Sequence, residues 1–115
     1  KSWYEWSSHV DRSLKCGLEL NEIKNVNKTL DQNNWNNKEF LLLSAVDQLI
    51  EKKHLDNDIY SDLRSYFSDK QIMDIVAIHG MYIILGCMIN IWGLTLEEDI
   101  AMRLPESVTK AQFLT

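Results

Sequence analysis

Proline occurs once in this 115-residue chain, at Pro105, and interrupts nothing before the last stretch. Glycine is scarce too, at four positions. With so few breakers, long helical segments meet little to stop them. Cysteine appears only at Cys16 and Cys87, far apart and in no CxxC pair. That spacing supports neither a disulfide framework nor a zinc cluster, and it fits a reducing, cytoplasmic compartment. Basic residues are outnumbered, with 12 Lys and Arg against 17 Asp and Glu and a net charge of −5. No basic run exists that could neutralise a phosphate backbone, so nucleic acid is not an expected partner. The sequence has no Gly-rich phosphate loop and no His/Glu cluster at metal-ligand spacing, which leaves no expected metal or cofactor. No arginine-led leader or cleavable apolar segment opens the chain, and it begins at Lys1 without a methionine; the expectation is that upstream residues are missing.

What is present suits one globular domain. A chain of this length buries roughly two-thirds of the surface it exposes when unfolded. Hydrophobic residues at 45% and charged residues at 25% are near the soluble average. One stretch tests that reading: IVAIHGMYIILGCMINIWGL, Ile75 to Leu94, is 20 residues without a formal charge. It is long enough to span a bilayer. His79 and Asn90 lie within it, and basic flanks are lacking, so the expectation is a buried helix and no membrane.

Periodicity is helical nearly throughout. Trp3, Trp6, Val10 and Leu14 recur at spacings of three and four, and Cys16-Gly17 ends that helix. Leu20, Ile23 and Val26 mark a short second helix. DQNNWNN, Asp31 to Asn37, is an asparagine-rich loop. A third helix follows Asn37 as N-cap, with Phe40, Leu41, Leu43, Ala45, Val46, Leu49 and Ile50 as its apolar face. A fourth starts at Asp56 or Asn57, around Ile59, Tyr60, Leu63 and Phe67. SDKQ, Ser68 to Gln71, reads as a capping box that opens the long fifth helix. Apolar nearly all round, that helix needs cover on most sides, from upstream helices absent here or from other copies of the chain. The domain is expected over 1–94, with 95–115 as a C-terminal arm or frayed end.

The densest chemistry lies at the start. Trp3, Tyr4, Glu5, Trp6 and His9 fall within seven positions. On a helix Ser2, Glu5 and His9 share one stripe, and Glu5 precedes His9 by one turn. A carboxylate can fix the tautomer of a neighbouring imidazole, and an imidazole titrating near neutrality can take or give a proton. Spacing alone leaves a plainer reading open. Glu-to-His pairs four apart contribute roughly 0.2–0.5 kcal/mol on many helix surfaces, and the aromatic residues serve equally as core. His79 and Tyr82, one turn apart on the fifth helix, could line a pocket or be ordinary core; His54, after two lysines, suits a helix C-terminus.

YEW-x-x-H, followed by R-S-L-K-x-G-L and EI, resembles the carboxymuconolactone decarboxylase-like family, which includes the alkyl hydroperoxidase D-like proteins. The similarity continues through LLLSAVDQLIEKKHLDNDIYSDL and IMDIVAIHGMYIILGCMIN, covering roughly residues 3 to 94. It implies an all-helical bundle of the alkyl hydroperoxidase D-like type that lacks its first helices in this chain. It further implies a homo-oligomer of two to six subunits, with a pocket near the histidine helix. The family's redox members carry CxxCxxxH with a glycine eight residues beyond the histidine; His9 and Gly17 keep that separation, and Ser2 and Glu5 occupy the two cysteine positions.

A peroxidatic thiolate needs a second thiol to resolve it, so Ser2 and Glu5 cannot run a CxxC cycle. The expected chemistry is therefore cofactor-free acid/base work on a small organic acid or lactone, with Glu5 and His9 catalytic and Tyr4, Trp6 and Tyr82 lining the substrate pocket. Arg12 and Arg64 are the only arginines before the tail, so no clamp for a di-acid is evident. The alternatives are a catalytically degenerate binding or structural subunit, and a hydroperoxide reductase working through Cys16.

Overall fold

The computed structural model describes residues 2–114. Among the described residues there is no strand. The helices run in the order α1 (Trp3–Lys15), α2 (Leu20–Val26), α3 (Asn37–Lys52), α4 (Asn57–Arg64), α5 (Asp69–Trp92), α6 (Glu98–Arg103) and α7 (Lys110–Leu114), with a 3₁₀ turn at Gln32–Asn34. The fold is all-α, as the periodicity requires.

Local chemistry explains most of the helix ends. Ser2 caps α1, its hydroxyl accepting from the Glu5 N–H at 3.3 Å. Gly17 follows at φ +90, a backbone conformation that glycine adopts without steric cost. At α3 the cap is Asn36, one residue earlier than the expected Asn37. Asn36 has Glu39 three residues on, and the two exchange bonds of 2.9 and 3.1 Å; Asn37 would have Phe40 there and no such partner. Ser68 and Gln71 make the expected reciprocal pair at the head of α5, at 3.2 and 2.9 Å.

The chain forms two compact units. One takes the residues up to Lys28 and those from Ile84 onward; the other is Thr29–Ile83. In the second, α3 packs on α4, and Leu41, Ala45, Leu63 and Ile72 make the core, flanked by Leu55, Ile59 and Phe67. Burying Leu63 completely contributes about 1.5–3 kcal/mol. The α3–α4 corner is tied by Asp56, which accepts from Gln48 and Lys52 at 2.8 Å each while its own N–H donates to Gln48 Oε1 at 2.9 Å.

In the first unit, α1 packs against α2 and α6 around Val10, Ile23, Ile89 and Phe113, all buried. The stretch expected as an arm or frayed end carries α6 and α7 and is held at four places. Tyr4 donates to Glu97 at 2.7 Å, Arg103 meets Asp11 at 3.0 Å, Lys24 donates to Ser107 at 2.9 Å, and Phe113 lies against Trp3 and Trp6.

Cover for the long helix was expected from upstream helices or from other copies; the chain itself buries only 11% of its most apolar 18-residue window. Ile72, Ile75, His79, Tyr82, Gly86 and Ile89, three and four apart, are buried or half-buried, and Gly80 beside His79 is half-buried as well. Met73, Val76, Ile78, Met81, Ile84, Met88 and Ile91 are exposed. The side that carries the histidine, tyrosine and glycine is thus the sheltered one, and the exposed side is hydrocarbon.

Candidate functional site

Glu5 sits in the first turn of α1, one residue before Trp6, whose ring stacks on Phe113 at 5.7 Å and 19°. That packing fixes the rotation of α1 and turns Glu5 toward α5. There the carboxylate meets Gly86. A Cβ on that glycine would stand 3.0 Å from Glu5 Oε2 and 3.8 Å from Cδ, so the absence of a side chain makes the room that Glu5 fills. Glu5 Oε1 is buried and has no hydrogen-bond partner. A buried carboxylate oxygen without a donor is costly, and such exceptions cluster where a polar group waits for a ligand or proton.

His9 lies four residues along the same helix and is half-buried, so its ring and the Glu5 carboxylate share a face. Ser8, between Glu5 and His9 in the sequence, is buried with its hydroxyl oxygen unpartnered. Ser7 is also buried, but its hydroxyl donates back to the Trp3 carbonyl at 2.6 Å.

The expected lining residues have other engagements. Tyr4 directs its one hydroxyl donor into a hydrogen bond with Glu97. That hydrogen bond, then burial, raises the Tyr4 pKa above the usual phenol value, and the same bond lowers Glu97. Tyr4 lines a cavity of about 510 Å³ beside Ile89, Asn90 and Leu94, whereas Trp6 lines a different one of about 390 Å³ beside Lys24 and Phe113. Tyr82 belongs to the second unit, half-buried on α5 one turn after His79. His79 has its Nε2 buried without a hydrogen-bond partner, which sets it apart from an ordinary hydrogen-bonded core histidine.

Both cysteines are exposed. Cys16 is the C-cap residue of α1, its backbone N–H bonded to the helix's last carbonyls. Cys87 stands on the open side of α5. Among the described residues no three His, Cys, Asp or Glu side chains are placed to hold a metal ion.

Compared with models of protein families, with curated proteins and with solved structures, the chain matches none.

Gly86 and Asp11 were not singled out from the sequence. Gly86 had a faint signal, since glycine inside a helix costs roughly 1 kcal/mol relative to alanine and usually answers to a close approach. Asp11 had none. It is buried, accepts from Arg103 at 3.0 and 3.1 Å and from Lys15 at 2.8 Å, and these bonds hold its carboxyl down at about 2. Its partner Arg103 lies 92 positions away.

Proposed function

We propose that this chain is a carboxymuconolactone decarboxylase-like subunit of the alkyl hydroperoxidase D-like helical type. Assembled with copies of itself, it uses Glu5 and His9 for cofactor-free proton transfer on a small organic acid or lactone. The observation that carries this reading is the buried, unpartnered Oε1 of Glu5, on a carboxylate whose Oε2 lies against Gly86. A carboxylate oxygen with no donor keeps its lone pairs available for a proton from a carbon next to a carbonyl. As that proton leaves, the C–H electron pair moves into the enolate; His9, one turn away, returns a proton to the carbon or to the enolate oxygen. Where a carboxyl group is lost, the C–C electron pair replaces the C–H pair and carbon dioxide departs. Tyr4, committed to Glu97, is assigned no donor role in this scheme.

The test is proton exchange in D₂O at the carbon next to the carbonyl of γ-carboxylactones and β-keto acids, followed by proton NMR together with carbon dioxide release. Glu5→Gln keeps the side-chain size and removes the base, and it should lower either rate by about 10²–10⁴-fold, as should His9→Ala. Wild-type rates in both variants would falsify the assignment.

One pair of observations favours the degenerate-subunit reading. Tyr4 and Trp6 line two different cavities, and neither cavity has Glu5 or His9 among its lining residues. Under that reading Glu5→Gln alters thermal stability alone, because it replaces a carboxylate with one buried, unpartnered oxygen by a neutral amide and affects no reaction.

A further inference from the structure

We infer that the groove where the C-terminal segment meets α1 and α2 is a binding site for a small aromatic carboxylate. It is separate from the Glu5 and His9 face and independent of the proton-transfer reading. The cavity holds about 390 Å³, within the range of roughly 300–1,000 Å³ typical of small-molecule sites. Its wall is apolar at Trp6, Phe113 and Val108, and its polar side presents Lys24, Lys28 and Thr109. No aspartate or glutamate is among its lining residues.

The two lysines decide the sign of the ligand. In a chain of net charge −5, Lys15, Lys52, Arg64 and Arg103 each meet a carboxylate within 3.1 Å. Lys24 and Lys28 instead bond to neutral oxygens, Ser107 Oγ and Asn25 Oδ1, both at 2.9 Å. An ammonium has three N–H donors, so each lysine keeps two for a further acceptor, and the cavity carries positive charge that no lining side chain neutralises. Four residues apart along the chain, the two ammoniums can share the oxygens of one carboxylate or take two neighbouring ones. The aromatic wall decides the body of the ligand. An apolar ring can lie against the accessible edge of the stacked Trp6 and Phe113 pair and displace water there, which inorganic anions cannot do. Arginine-poor and lysine-lined, the groove offers point charges rather than a bidentate fork, which suits carboxylates held by charge.

Calorimetric titration of the whole chain with phthalate, with benzamide as the neutral ring and inorganic phosphate as the ringless anion, tests this directly. Phthalate should bind saturably, weaken at least tenfold in the Lys24→Gln/Lys28→Gln double variant, and weaken again as salt is raised. Benzamide and phosphate should each bind at least tenfold more weakly than phthalate. Equal binding of benzamide, or an unchanged double variant, removes the lysines from the site. Phosphate binding as tightly as phthalate removes the aromatic wall. Any of these results, or no saturable phthalate binding, overturns the proposal.

Discussion

At the scale of single residues, Gly86 offers the sharpest separation of stability from chemistry. Alanine at an interior helical position is favoured over glycine by up to about 1 kcal/mol. The added methyl would stand 3.0 Å from Glu5 Oε2, the mobile end of a flexible side chain, so the carboxylate has to retreat by a few tenths of an ångström. Stability gains from the helix and loses from the contact, while a proton-transfer group is simply moved. Gly86→Ala is therefore expected to leave the melting temperature within a few degrees of wild type and to lower α-proton exchange by about tenfold. Calorimetry and NMR exchange on the same sample check both halves. Unchanged exchange with a carboxylate demonstrably displaced argues that Glu5 is a structural residue.

At the scale of elements, α1 and α6 are joined through Asp11, and the joint depends on pH with a definite sign. The Arg103 and Lys15 hydrogen bonds hold the Asp11 carboxyl at about 2, below its unfolded value of about 3.9. A depressed carboxylate contributes in full above the unfolded pKa and loses its contribution as pH falls toward the folded one. Arg103→Gln should consequently lower the melting temperature at pH 7, and the gap to wild type should close between about pH 4 and pH 2. A gap that stays constant with pH would assign the effect to packing. Phe113 makes the second joint, and its removal as Phe113→Ala should cost about 3–5 kcal/mol in a denaturant titration, against almost nothing for a frayed end. These joints mark what the sequence could and could not disclose. Capping boxes such as Ser68 with Gln71 were legible because both partners lie within four residues. The pairs Tyr4 with Glu97 and Asp11 with Arg103 span 93 and 92 positions and have no local signature. Glu5 and His9 were legible as a pair from helical spacing, but the glycine that receives Glu5 is set by packing alone.

At the scale of the whole molecule, α5 poses a question about its surroundings, because hydrocarbon that is apolar on every side gives no periodic signal of which side faces inward. Within the chain its exposed side includes Met73 at 71%, Ile84 at 64%, Ile91 at 73% and Trp92 at 68% exposure. Contiguous apolar patches of this kind mark association surfaces. By length and composition the helix could cross a membrane. The head of the helix is held by protein instead, with Ile72 in the Leu41, Ala45 and Leu63 core. The flanks argue the same way, with Asp69 and Asp74 at one end, Glu97, Glu98 and Asp99 at the other, and Lys70 as the one basic residue among them. Self-association is the expected outcome: sedimentation equilibrium should give a mass at least twice the 13.5 kDa of the chain. Ile84 and Ile91 stand seven residues apart on the exposed side, so the Ile84→Asp/Ile91→Asp double variant should fall to the monomer mass while keeping its helical circular dichroism. Co-sedimentation of the wild-type chain with phosphatidylcholine vesicles, lost in the same variant, would instead place this helix against lipid and overturn the oligomer.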